Sequence, residues 1–74
     1  MQTDDILQSL YDSEINYTIL TFWDKGFHGA LGDKYNGTLD AGWCASFYDA
    51  VQMLARHAAN RYPNSCFATR WMTE

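Results

Sequence analysis

Positive charge is scarce in this chain, which sets five Lys and Arg against nine Asp and Glu for a formal net charge of −4. Affinity for DNA or RNA rests on Lys and Arg neutralising phosphates, so direct nucleic-acid binding is not expected. Long apolar runs are missing too. Without the roughly 18 or more consecutive apolar residues of a spanning helix, and without an apolar segment behind a basic start, the sequence predicts no membrane association and a cytoplasmic protein. Cysteine is limited to Cys44 and Cys66, too few and too far apart for a disulfide framework or a zinc knuckle, and both are read as buried thiols. In an unsecreted chain the sequons at Asn16-Tyr17-Thr18 and Asn36-Gly37-Thr38 carry no glycan.

Chemistry-bearing patterns are equally thin. His28 and His57 fall in no His-x-His, His-x3-His or Cys-x2-Cys spacing, so neither a metal nor a cofactor is expected. Either cysteine with either histidine would supply the parts of a nucleophilic pair, but no motif sets one on a strained turn. Cys44, just ahead of a helix start at Ser46, comes nearest, because a helix N-terminus lowers a thiol pKa. Gly26, Gly29 and Gly32 repeat every third position, which differs from the dinucleotide-binding glycine fingerprint and suits turns and sheet. The expectation is a protein without enzymatic activity.

What is present argues for one folded domain across residues 1–74. Hydrophobic residues make up 47% of the 74 and aromatic ones 16%, while only 19% are charged. A chain of this size hides only about 60–65% of the surface it exposes when unfolded. Twelve aromatics exceed what so small a core holds, and surface Trp and Tyr mark contact sites. Eight of the nine acids (Asp4, Asp5, Asp12, Glu14, Asp24, Asp33, Asp40, Asp49) precede residue 50, whereas all three arginines follow it.

Ile6, Leu7, Leu10 and Tyr11 recur at helical spacing behind Thr3, predicting a helix over about residues 4–12 capped by Thr3. From Ile15 to Trp23 the chain is β-branched and aromatic, with Ile15, Tyr17, Ile19 and Trp23 on one face, and Leu20 and Phe22 on the other. Asp24-Lys25-Gly26 predicts a tight hairpin with Gly26 left-handed, leading into a second strand from Phe27 to about Leu31. Asn36-Gly37 then turns the chain into a third strand, Thr38 to about Cys44. Ser46 and Asp49 form a capping-box pattern before the stripe Phe47, Ala50, Val51, Leu54, Ala55, Ala58 and Tyr62, a helix that Pro63 ends. The tail from Ser65, with Phe67 and Trp71, reads as a last short strand or a loose end. The fold class is therefore α+β, a helix, a three-stranded antiparallel sheet and a helix (αβββα), with both helices on one sheet face and the other face left open.

This order resembles the double-stranded RNA-binding domain, which implies RNA binding through a basic start to the last helix. Here that start reads Ser46-Phe47-Tyr48-Asp49 and has no lysine. The segments Ser13-Glu14-Ile15-Asn16, Phe22-Trp23-Asp24-Lys25-Gly26-Phe27, Leu31-Gly32-Asp33, Asn36-Gly37 and Tyr62-Pro63-Asn64-Ser65 resemble short uncharacterised proteins of bacteria and their prophages, implying a bacterial or phage setting. By size, charge and setting the chain is similar to small phage proteins that block nucleic-acid-handling machines, the anti-CRISPR proteins among them.

The expected function is accordingly non-catalytic binding of a protein, such as a CRISPR effector or another nucleic-acid-binding protein, through acidic and aromatic surface. The contacts expected are Asp24, Asp33, Tyr35, Asp40 and Trp43 near the strand ends, with Trp23 and Trp71 as anchors. The alternative is a homo-oligomer, a dimer pairing through the open sheet face.

Overall fold

The computed structural model describes residues 2–33, 35 and 37–73, with Asp33 described by its backbone alone. Elements follow the order α1 (Thr3–Asp12), β1 (Tyr17–Phe22), β2 (Gly26–Asp33), β3 (Gly37–Cys44), α2 (Phe47–Arg61) and α3 (Cys66–Thr73). The architecture is the α+β one read from the sequence, with one helix more.

Helix α1 starts one residue earlier than its pattern suggests. Extended Gln2 occupies the N-cap without a side-chain hydrogen bond, and Thr3, the expected cap, is already helical. Asp4 and Asp5 lie in the first turn, where carboxylates meet the positive end of the helix dipole. Ile6 and Leu10 are fully buried, whereas Tyr11, expected on the same face, is exposed. The exit is a tight one. Glu14 takes a left-handed φ of 61°, the Glu14 N–H donates to the Tyr11 carbonyl, and the Ile15 N–H reaches back to that of Leu10, each at 3.0 Å. This is a Schellman ending with buried Leu10 and Ile15 as its apolar contact, and glycine normally fills the left-handed position. Glu14→Gly is therefore expected to stabilise the domain by about 0.5–1 kcal/mol, read as a higher urea midpoint at unchanged slope.

The sheet runs β1-β2-β3, antiparallel throughout. The first turn is the predicted one. The Lys25 N–H donates to the Phe22 carbonyl at 3.1 Å and Gly26 sits at φ 100°, where a Cβ would lie 2.6 Å from the Cys44 carbonyl oxygen. Trp23, expected to share a strand face with Tyr17 and Ile19, belongs to this turn instead because the strand stops at Phe22. Lys34 and Asn36, and with Asn36 half of the second predicted turn, lie outside the described residues. Between β2 and β3 the register slips: Gly29 faces Gly42, yet Leu31 faces Leu39. The extra residue is absorbed by a bulge at Asp40 and Ala41, where Asp40 takes φ 52°.

The helices pack on the face bearing Leu31. Ile6, Leu10, Leu31, Val51, Leu54, Ala55, Ala58 and Phe67 are all fully buried there, and Ile15 joins them. The paired glycines 29 and 42 let α2 come close, since Cβ atoms on them would meet the Met53 and Leu54 side chains. The predicted Ser46 cap is present, its Oγ accepting the Asp49 N–H at 3.1 Å. Helix α2 ends at Tyr62, whose backbone (φ −125°, ψ 66°) has left the helical region just before Pro63. Its buried stripe covers Ala50 to Ala58 only, since Phe47 and Tyr62 at the two ends of the predicted stripe are exposed.

The tail is neither strand nor loose end. Ser65 Oγ accepts the Ala68 N–H at 3.0 Å, which starts α3, and Ser13 Oγ accepts the Phe67 N–H at 3.0 Å, which ties that start to the α1–β1 link. The Phe67 ring then fills the core with Trp71 stacked beside it.

Candidate functional site: an aromatic cluster on the open sheet face

Side chains alternate across a sheet, so Tyr17, Ile19, Gly29, Leu31 and Gly42 face the helices while Thr18, Leu20, Phe22, His28 and Trp43 face away. Among the described residues no helix covers that second face. Leu20 is 52% exposed, Trp43 55% and Phe22 38%. None of its five named side chains is an acid, a lysine or an arginine.

These side chains form one arrangement of rings. The register places Leu20 opposite His28 and His28 opposite Trp43, giving a row across all three strands. Trp43 meets His28 edge-on with ring centroids 4.9 Å apart, and Phe22 at 5.4 Å and a 50° tilt. Both geometries suit aromatic quadrupoles, so the neighbours fix the indole while leaving half of it in water. Around the same end of the sheet stand the β1–β2 turn, with Trp23 almost fully exposed at 96%, and the start of α2. There Phe47 meets Phe27 edge-on at 5.9 Å and Tyr48 is exposed. Half of the twelve aromatics thus crowd one end of the molecule.

Of the contacts expected from sequence, Trp23, Asp24 and Trp43 come together at this end. Asp33 ends β2 at the opposite end, roughly 20 Å along the strand, and its side chain lies outside the described residues. Tyr35, exposed in the β2–β3 turn, belongs to that far end as well. Asp40 is turned by its bulge toward the end of α2, where Arg61 Nε and Nη2 donate to its carboxylate at 3.2–3.3 Å. With His57 and Asn60 this pair lines an open polar depression of about 380 Å³. Trp71 is half-buried on α3, its ring 6.1 Å from that of Phe67. Phe22 and His28 were not among the expected contacts, although the two-sided apolar end of β1 is the signal that points to Phe22.

The two thiols are placed differently from each other. Cys44 is half-buried with Sγ 3.8 Å from Met53 Sδ, whereas Cys66, expected to be buried, is exposed at the start of α3. The cause is the added helix, which turns Phe67 and Ala68 inward and leaves Cys66 on the water side. Among the described residues no group of three or more His, Cys, Asp or Glu could hold a metal ion. Among them, too, no helix is long and apolar enough to cross a membrane. Compared with known proteins, the chain matches no family model, no curated protein and no solved structure.

Proposed function

We propose that this chain is a non-catalytic protein-binding module whose open sheet face, centred on Trp43, docks a host protein that handles nucleic acid and so blocks it. The observation that carries this reading is the Phe22–Trp43–His28 cluster, an ordered set of rings presented to water on the face away from the core. Interfaces concentrate their energy in such pre-positioned aromatic anchors, where little side-chain freedom remains to be lost on binding. Trp23 and Leu20 extend the anchor into a patch, and apolar patches on folded domains mark contact surfaces.

The kind of partner follows from charge. A net −4 with Asp24 at the patch rim and Asp49 near it suits a basic surface, and the basic surfaces of proteins that handle nucleic acid are where phosphates bind. A prophage inhibitor of a CRISPR effector is the specific form this takes, resting on the likeness of size, charge and setting.

The test is competition. Purified effector complexes would be titrated with labelled target DNA in the presence of the chain, at low and at raised salt. The expected result is displacement of DNA by the wild type, with Asp24→Asn slowing association and flattening the salt dependence. Unaltered DNA binding at a large excess of the chain across effectors of several types would remove the inhibitor reading.

A further inference from the structure

The two edges of the sheet are built differently. Edge β3 is bulged at Asp40, carries that charge and has glycine at positions 37 and 42, all features that discourage a neighbouring strand. Edge β1 has none of them. Its sequence, Tyr17-Thr18-Ile19-Leu20-Thr21-Phe22, holds no charge, proline, glycine or bulge, and five of its six residues are the β-branched or aromatic types that favour strands. Four of the six are exposed. A regular, uncharged, β-prone edge left without protection is a template for another strand.

Its outward bonding groups can be identified. The Gly32 N–H donates to the Asn16 carbonyl at 2.7 Å, and antiparallel ladders alternate, so Thr18 and Leu20 bond inward to β2. The N–H and C=O groups of Tyr17, Ile19 and Thr21 consequently point away from the sheet.

We infer that β1 pairs antiparallel with β1 of a second copy of this chain, joining two three-stranded sheets into one of six strands. A two-fold axis through Ile19 sets Ile19 against its own copy and Tyr17 against Thr21, so all three outward residues of each copy exchange bonds. The arrangement is self-complementary, as a symmetric interface has to be. Charge does not oppose this occupant: β1 holds no charged residue, so between Tyr17 and Phe22 no charge of one copy faces a charge of the other despite the net −4 of each chain. On the open side Leu20 lies against Thr18 of the copy, which makes the two aromatic patches one continuous surface.

Analytical ultracentrifugation across a concentration series tests this. The expected mass rises from one 8.5 kDa chain to two, and Thr21→Pro weakens the dimer about tenfold or more, because it removes an outward N–H from each copy without touching the β1–β2 ladder. Hydrogen exchange on the wild type gives a reading free of folding defects, with the Tyr17, Ile19 and Thr21 amides protected at high concentration and open at low. A single-chain mass at every concentration overturns the inference. So does a dimer that survives Thr21→Pro but is abolished by Trp43→Ala, which would place the contact on the open face.

Discussion

Replacing Phe67 by alanine is expected to unfold most of the protein at 37 °C. Phe67 is the largest fully buried side chain, and it lies where α1, α2 and α3 meet. Truncating a buried phenylalanine costs about 3–5 kcal/mol, through lost transfer energy and the cavity left behind. A core of this size supplies a similar total, so the change consumes most of the reserve. Collapse of the cavity is restricted because the Phe67 backbone is held by Ser13 Oγ and α3 is held by its Ser65 cap. Thermal melts followed by circular dichroism decide the matter, with exposed Met72→Ala on the same helix as a control expected within about 0.5 kcal/mol of wild type. A Phe67→Ala melt within a few degrees of wild type would mean that α3 contributes little to the core.

That prediction rests on the one element the sequence pattern did not disclose, and the reason is physical. Phe67 and Trp71 are four apart, a helical spacing, and Ser65 is a capping residue, but eight residues are too short for a helix to stand without tertiary support. The support comes from Ser13, far away in sequence. Local signals served well where local chemistry decides the outcome. The Asp24-Lys25-Gly26 turn, the Ser46 cap and the stop before Pro63 are each set by one or two residues' backbone preferences. They served less well where a register or a neighbour decides. The bulge at Asp40 and the exposure of Cys66 follow from contacts across the chain, while the left-handed Glu14 closes a local Schellman turn without the glycine that would have signalled it. The site divides along the same line. An uncovered sheet face is implied by counting helices against strands, and Trp23, Asp24 and Trp43 are strand-end residues that hairpin topology brings to one end. That Asp33 and Tyr35 sit at the other end, and that Asp40 answers to Arg61, needed the strand register and the α2 packing.

The second large effect is expected on binding alone. Trp43→Ala should weaken partner affinity about thirtyfold or more, the loss typical of a central interface tryptophan, while lowering stability by only about 1 kcal/mol. The separation is possible because the indole is 55% exposed and touches the core from neither side: its ring contacts are Phe22 and His28, both on the open face. Both ring partners are themselves partly exposed, so truncation leaves a gap open to water and not an enclosed cavity. Phe22→Ala should cost less affinity, since that ring braces the indole more than it reaches outward, and the two changes together should cost less than their sum, because each removes part of one packed unit. Calorimetric titration of the single and double variants, alongside urea melts of each, measures both quantities. A fall in affinity matched by an equal fall in stability would mean that Trp43 holds the sheet together. Additive losses would mean that the two rings meet the partner separately, whereas sub-additive loss at nearly wild-type stability identifies the Phe22–Trp43 pair as a single pre-positioned anchor.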